Sequence, residues 1–158
     1  MALRAVVGIG TNLGDRRATM RAALGGLATF ARVEATSHLY ESAPVGGPEQ
    51  PAFLNAAALV RFDGPALDLL DRLLALELAL GRVRVERWGP RVIDLDLLWI
   101  DGVAIDEPRL VVPHPRLRER AFAVRPLLDV VPGARDPVSG DAYVVPAGDV
   151  HEVGELIP

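Results

Sequence analysis

The sequence contains no cysteine and no lysine. Without cysteine, disulfide bonds, thiolate metal sites and cysteine nucleophiles are all excluded, and the composition suits a reducing compartment. All 17 residues counted as lysine or arginine are arginine. A P-loop lysine, a Schiff-base lysine and a pyridoxal phosphate site are therefore impossible.

Long apolar runs and an excess of positive charge are also missing. No uncharged stretch reaches the length of a membrane span, and the segment from Met1 to Gly10 is too short for a signal peptide. The net charge of −4 argues against a general nucleic-acid binder, because such binding needs basic side chains to neutralise phosphates. At 158 residues the chain fits a single domain, 1–158, with a proper core. We expect a cytoplasmic, monomeric protein.

The order of the predicted strands and helices indicates the fold class. Asp15 suits the N-cap of a first helix, while Pro65 suits the first position of a second helix and Gly81 the position just beyond its end. In order, the predicted elements are strand Ala2–Gly10, helix Asp15–Phe30, strand Val33–Ala43, strand Ala52–Phe62, helix Pro65–Leu80, strand Ile93–Ile100 and helical pieces within Leu117–Val130. The order β-α-β-β-α-β predicts an α+β, ferredoxin-like core, with a mainly antiparallel sheet and helices packed on it. The pattern after Gly133 predicts no particular element.

Two carboxylates lie within the last predicted strand. Because side chains alternate along a strand, Asp94 and Asp96 are expected on one face, and Ile93, Leu95, Leu97 and Trp99 on the other. The Cα atoms of the two aspartates are then about 6.6 Å apart, close enough for their carboxylates to hold two magnesium ions. By itself the pattern is weak and more typical of a half-exposed strand with a solvated face.

An arginine cluster immediately precedes these aspartates. Residues 82–91 carry four arginines, Arg82, Arg84, Arg87 and Arg91, and one glutamate. Guanidinium groups bind phosphate oxygens in a fixed geometry, and carboxylates bind the metal that accompanies a polyphosphate. The segment from 82 to 96 therefore predicts a site for a magnesium polyphosphate, at which positioning and charge stabilise a phosphoryl-type transfer.

A second basic group follows in "RLVVPHPRLRER", residues 109–120. Its pattern suggests that Arg109, His114 and Arg120 face the nucleotide, with His114 held between two prolines as a donor to phosphate. Alternatively, His114 is structural. Some of the arginines at 116, 118 and 120 are expected to be surface residues only.

A different side-chain pair suits a flat, amide-like ligand. Phe53 and Asn55 share a face of one predicted strand, where an aromatic ring can stack and a carboxamide can bind a donor and acceptor edge. The alternative is that Phe53 belongs to the core and that Asn55 is buried and bonded to the backbone.

These motifs together resemble a known family. "GTNLGDR", "LYESAPVGGPEQPAFLNAA", "ELALGRVRVERWGPRVIDLDLL" and "VPHPRLRERAF" are similar to the motifs of the 6-hydroxymethyl-7,8-dihydropterin pyrophosphokinases of folate biosynthesis. The resemblance covers almost the whole chain, and "RWGPRVIDLDLL" is its most specific part. It implies a ferredoxin-like fold and transfer of a diphosphoryl group from ATP to the pterin hydroxymethyl group, with release of AMP.

The resemblance also implies roles for individual residues. Asp94 and Asp96 would bind two Mg²⁺ ions, and Arg82 and Arg91 would stabilise the transferring group. The residues implied near ATP are Glu77, Arg84, Arg109 and His114. The residues implied around the pterin are Ser42, Val45, Phe53, Asn55, Trp88 and Phe122, with Phe53 and Phe122 on the two faces of the ring and Trp88 capping the site.

Some positions depart from the family pattern. Thr11 replaces a common serine, Val85 stands where some relatives carry lysine, and Leu74 and Val111 are apolar where some relatives have polar groups facing the nucleotide. With apolar Leu74 and Val111, the backbone would contribute more to recognition of the base.

Two other functions share part of this pattern. A ferredoxin-like RNA-binding module would use arginines and stacking aromatic rings, although two carboxylates would repel its ligand. A two-metal nucleotidyltransferase would use the aspartates without needing Phe53 and Asn55.

Overall fold

The computed structural model describes residues 2–43, 51–81 and 93–156. Eight strands and three helices lie within these ranges. In chain order they are β1 (Ala2–Thr11), α1 (Arg16–Leu27), β2 (Arg32–Thr36), β3 (His38–Ser42), β4 (Phe53–Asp63), α2 (Ala66–Ala79), β5 (Asp94–Ile100), β6 (Ile105–Glu107), β7 (Leu110–Val112), α3 (Ala121–Val130) and β8 (Val150–Glu155). A short 3-10 helix, Leu117–Glu119, precedes α3.

The main sheet confirms the predicted fold class. Its strands run in the order β5-β1-β4-β3-β8, β2 also pairs with β4, and every pairing is antiparallel. Without β8, the order β5-β1-β4-β3 is that of a ferredoxin-like sheet, in which the first and third strands of the motif form the centre. β6 and β7 form a separate two-stranded sheet.

The predicted strand Val33–Ala43 is divided at Ser37 into β2 and β3. The Ser37 hydroxyl accepts a hydrogen bond from the Ala57 N–H (2.8 Å) and donates one to the His38 carbonyl (2.7 Å). Its side chain therefore replaces regular ladder bonds at the point where the strand is interrupted.

Helices α1 and α2 cover one face of the sheet. Their buried residues Met20, Leu27, Leu69 and Leu73 pack against side chains of β1, β4 and β5 in what we call the first core. The predicted N-cap is confirmed: the Asp15 carboxylate accepts the Ala18 N–H at 3.1 Å. No helix in the described parts of the chain is long and apolar enough to cross a membrane.

Helix α3 and the C-terminal segment cover part of the other face. Val124, Leu127 and Val130 of α3 pack with Ala134 and Tyr143 in the second core. The Trp99 indole N–H donates to the Arg135 carbonyl at 2.9 Å, and β8 then pairs with β3. The segment after Gly133 is thus an integral part of the sheet and of the second core.

A β-bulge in β5 corrects the predicted alternation. Val6 pairs with Trp99 and Val7 with Leu97, so Leu98 is the extra residue. Trp99 consequently lies in the second core with Leu98, whereas Leu97 lies in the first core. The prediction that Trp99 shares a face with Leu97 was wrong, because strict alternation fails across a bulge.

Candidate active site

Two adjacent rows of the sheet bring the predicted carboxylates and amide together. Asp94 pairs with Gly10, which pairs with Asn55, and Asn55 pairs with Tyr40. In the next row Asp96 pairs with Gly8. Directly paired residues of antiparallel strands project to the same face, so Asp94, Asp96 and Asn55 all face the side that α3 covers.

Gly10 leaves open space beside Asp94, whereas the space at Gly8 is filled by the side chain of Leu98. Among the described residues, a Cβ at Gly10 would lie within 4 Å of Asn55 Oδ1 alone, at 3.5 Å. A Cβ at Gly8 would lie 2.9 Å from Leu98 Cδ1, so the bulged leucine requires glycine there. The sequence predicts a first strand that ends at these glycines, whereas β1 continues to Thr11. A glycine inside a strand often marks a place where a ligand or another group approaches the backbone closely.

The donor set fits magnesium bound together with phosphate. Asp94 and Asp96 are both partly exposed. Within residues 2–43, 51–81 and 93–156, no group of three histidines or acidic residues is arranged to hold a metal ion. Two carboxylates alone make a weak site, but Mg²⁺ commonly uses one or two carboxylates and takes its other ligands from phosphate and water.

Glu77 lies beneath β5. It is 4% exposed and follows Leu69 and Leu73 along the buried face of α2. Its Oε2 accepts a hydrogen bond from the Leu95 N–H at 2.7 Å. The residue that resemblance placed near the nucleotide therefore contacts the backbone between the two aspartates.

His114 lies near Asp94. The backbone N–H of His114 donates to the Leu98 carbonyl at 2.9 Å, and the ring nitrogen Nδ1 accepts the backbone N–H of Arg116 at 3.2 Å. Burial, followed by the positive charges of Arg120 and Arg116, lowers the pKa of His114 and outweighs the opposing effect of Asp94. A neutral His114 whose Nδ1 accepts a hydrogen bond carries its proton on Nε2, which suits donation to phosphate.

Two of the other predicted ATP residues lie in different surroundings. The Arg120 guanidinium lies over the Phe122 ring, 5.6 Å from its centroid, and joins the cluster of His114 and Asp94. Arg109, at the β6–β7 turn, instead pairs with the carboxylate of Asp71 on α2. Both side chains of this pair are 56% exposed.

The predicted pterin residues form a hydrogen-bonded face at the end of β4. Asn55 Nδ2 donates to Ser42 Oγ at 2.8 Å, and both residues are buried. Phe53 pairs with Ser42 in the sheet register, so it lies on the same face. Asn55 Nδ2 also donates to the Tyr40 carbonyl at 3.5 Å, so the residue is buried and bonded to the backbone, as the alternative predicts. Its Oδ1 lies near Gly10.

A polar network that the sequence did not indicate supports this face. Tyr40, the sheet neighbour of Asn55, donates its hydroxyl to Asp129 Oδ2 at 2.6 Å. His38 Nδ1 lies 3.1 Å from the same oxygen, and the Arg125 guanidinium lies 5.4 Å from the centroid of the Tyr40 ring. The network joins β3 to α3, two segments about 90 residues apart, so no local pattern could reveal it.

Several predicted site residues lie outside the described ranges. They are Val45, Arg82, Arg84, Trp88 and Arg91. Their assignments stay predictions.

Comparison with known proteins identifies the family. A family model described as 7,8-dihydro-6-hydroxymethylpterin-pyrophosphokinase (HPPK) matches residues 6–132. A 2-amino-4-hydroxy-6-hydroxymethyldihydropteridine pyrophosphokinase of Pseudomonas aeruginosa is 44% identical over 139 residues, covering 87% of this chain and 86% of the relative. The protein of the same name from Bacillus subtilis is 40% identical over 128 residues, covering 80% of this chain and 77% of the relative.

Solved structures agree at the level of the fold. The crystal structure of wild-type Plasmodium falciparum HPPK-DHPS with pterin and p-hydroxybenzoate has a TM-score of 0.71 and 16% sequence identity, over 90% of this chain and 41% of that one. This chain therefore spans about two fifths of the length of that protein. Because the family model and the sequence relatives agree, and the sheet has the ferredoxin-like order, the chain belongs to the 7,8-dihydro-6-hydroxymethylpterin-pyrophosphokinase family.

Proposed function

We infer that this protein transfers the diphosphoryl group of ATP to the hydroxymethyl group of 6-hydroxymethyl-7,8-dihydropterin in folate biosynthesis. The observation that carries this inference is the row of Asp94, Gly10 and Asn55, which lies on one face of the sheet. In this row the carboxylate of Asp94, on β5, is suited to a metal polyphosphate. The carboxamide of Asn55, two strands away on β4, is suited to a pterin, and Gly10 lies between them on β1. The name shared by the relatives agrees with this division of the site.

We propose that Asp94 and Asp96 hold two Mg²⁺ ions with ATP. Their shared face and the open backbone at Gly10 beside Asp94 support this assignment. When bound, magnesium would neutralise phosphate charge and orient the β-phosphate for in-line attack.

Cationic and donor groups complete the proposed ATP site. Arg82 and Arg91 would offset charge on the transferring group, and Arg84, Arg109, Arg120 and the Nε2–H of His114 would contact phosphate or nucleotide. Arg109 can exchange Asp71 for phosphate at little cost, because ion pairs between exposed side chains contribute only about 0–1 kcal/mol.

The proposed reaction is a single displacement. The hydroxymethyl oxygen bonds to the β-phosphorus of ATP, the bond from that phosphorus to the oxygen shared with the α-phosphate breaks, and AMP leaves. The proton of the hydroxyl group is released to solvent. Such transfers need little general-base help, because positioning and charge stabilisation supply most of the rate enhancement.

We propose that the pterin lies against the Asn55 and Ser42 face. Phe53 and Phe122 would stack on its two sides, and Val45 and Trp88 would complete the pocket. The hydrogen bond between Asn55 and Ser42 supports this proposal, because it fixes the carboxamide in one orientation before the ligand binds.

The first test is AMP release from ATP and Mg²⁺, with and without 6-hydroxymethyl-7,8-dihydropterin. We expect AMP only when the pterin is present. ADP would indicate a simple kinase, incorporation of AMP into the acceptor would indicate a nucleotidyltransferase, and the absence of any nucleotide product would overturn the proposal.

Replacement of Asp96 tests the metal assignment. Asp96→Ala should lower turnover by about 10²- to 10³-fold or more, the scale for losing one group that stabilises developing charge, while the far-UV circular dichroism spectrum stays unchanged. Asp63→Ala, at an exposed acid at the opposite end of β4 from Asn55, is the matched control and should keep wild-type turnover. An Asp96→Ala enzyme with most of its turnover would contradict the two-metal site.

We also propose that the protein acts as a cytoplasmic monomer with one domain, 1–158. The single main sheet and the packing of Tyr143 and Leu156 into its two cores support one domain. Light scattering in solution would test the oligomeric state.

A further inference from the structure

Glu77 is the one buried acidic residue within residues 2–43, 51–81 and 93–156. It lies at the end of a stripe whose earlier members, Leu69 and Leu73, belong to the first core. A carboxylate in such surroundings is costly unless hydrogen bonds compensate for its lost hydration. A hydrogen-bond partner of Glu77 therefore indicates one function of this residue.

The bond from the Leu95 N–H lies at a defined place in the sheet. β5 is the last strand in the strand order, with β1 as its neighbour on the inner side. Along an antiparallel edge strand, backbone groups alternate between the neighbouring strand and the open edge. Glu77 Oε2 receives the Leu95 N–H from that outer side, at 2.7 Å.

The same N–H belongs to the peptide unit that joins Asp94 to Leu95. On the inner side, Asp94 and Asp96 are held in register by Gly10 and Gly8. A hydrogen bond from the opposite side fixes the peptide plane between the two aspartates. It therefore restricts the angle at which both carboxylates leave the strand.

We propose that Glu77 is a positioning residue that aligns the Asp94 and Asp96 carboxylates for metal binding by holding the Leu95 amide. This inference rests on the proposed function for the identity of the metal and its phosphate ligand. Groups that orient metal ligands in this way commonly change metal affinity about 10- to 100-fold when they are removed. The role needs an acceptor oxygen at this position and does not need a negative charge.

Two substitutions separate the acceptor from the charge. Glu77→Gln keeps an acceptor oxygen with nearly the same shape, whereas Glu77→Met keeps the length of the side chain and removes the acceptor. Leu78→Met, on the exposed side of the same helix, is the matched control. For each protein, amide hydrogen exchange at Leu95 would be followed by NMR without nucleotide, and Mg²⁺ binding by calorimetry with α,β-methylene-ATP present.

We expect Glu77→Met to speed Leu95 exchange by about tenfold or more and to weaken Mg²⁺ binding about 10- to 100-fold. Glu77→Gln and Leu78→Met should stay within about threefold of wild type in both measurements. This change is smaller than the effect of losing a hydrogen bond to a charged group. Equal losses in Glu77→Gln and Glu77→Met would overturn the proposal, because the charge of Glu77 would then be what matters. Unchanged Mg²⁺ binding in Glu77→Met would overturn it as well.

A measurement on the wild type covers the case in which Glu77→Met does not fold. NMR should detect a scalar coupling across the hydrogen bond between the Leu95 nitrogen and the Glu77 carboxyl carbon, and its absence would refute the contact. None of these readouts uses pterin or turnover. A failure of pterin-dependent AMP release would remove the proposed function and leave the result at Leu95 standing.

Discussion

Gly8→Ala should destabilise the fold because of the bulge in β5. The added Cβ would lie 2.9, 3.2 and 3.4 Å from Cδ1, Cγ and Cδ2 of Leu98. Leu98 is 4% exposed and is held within the second core, so it cannot turn into solvent to make room. The strand or the leucine must shift instead.

The magnitude follows from the cost of overpacking. Adding a carbon to a filled core costs about 1–3 kcal/mol in the free energy of unfolding. For a chain of this size, each kcal/mol lowers the melting temperature by about 2–4 °C, which gives a decrease of about 2–12 °C. Urea denaturation would measure the change in the free energy of unfolding, with an unchanged m-value showing that the unfolded state is not altered.

A double-mutant cycle identifies the cause. Leu98→Ala alone should cost about 2–5 kcal/mol, because it removes buried carbons and leaves a cavity. In the double variant the new methyl group of residue 8 enters the space that Leu98 leaves. The two costs should therefore sum to more than the cost of the double variant, by about 0.5–3 kcal/mol.

Gly10→Ala is the matched control in the same strand. Its Cβ would meet Asn55 Oδ1 at 3.5 Å, an ordinary contact, so we expect stability equal to wild type or better by up to about 1 kcal/mol. Turnover should nevertheless decrease, because the methyl group lies between the paired Asp94 and Asn55. If Gly8→Ala were as stable as Gly10→Ala, or if the double-mutant costs were additive, the argument from the bulge would be refuted.

Two further predictions concern the interrupted strand. Ser37→Ala should lower the free energy of unfolding by about 1–3 kcal/mol, measured by urea denaturation, because it leaves the buried Ala57 N–H without its side-chain acceptor; wild-type stability would contradict this. The hydrogen bond to Asp129, opposed by burial and aided by nearby carboxylates, raises the pKa of His38 above its usual 6.5. A raised pKa means that the protonated ring stabilises the fold fully below about pH 6.5 and that this stability is lost as pH rises through the higher folded value. The stability difference between wild type and His38→Gln should therefore be larger at pH 5.5 than at pH 9, and a difference independent of pH would contradict the assignment.

The regular elements were predictable because periodicity and capping act locally. The N-cap at Asp15 and the glycine just beyond the end of α2, Gly81, follow from a few adjacent residues, and both are confirmed. The shared face of Asp94 and Asp96 was also predictable, because no bulge lies between them and Gly10 and Gly8 hold both in register.

The remaining features depend on contacts between distant segments. The bulge at Leu98 is tolerated because Gly8, on another strand, has no side chain. The pairing of β8 with β3 needs the chain to return across most of its length, and the pattern after Gly133 contains few strand signals. The contact between Glu77 and the Leu95 amide likewise joins two elements that the sequence shows only separately.

β8 lies at the opposite end of the strand order from β5, and its residues determine whether a second molecule can pair with this edge. A free strand edge is a template on which a second chain can add a strand. Here the edge is short, carries exposed Glu152 and Glu155, and contains Gly154 at a φ of +135°, where the pairing with β3 also changes register. Like charges and an irregular backbone oppose the addition of an identical strand, so this edge protects the protein from self-association at high concentration.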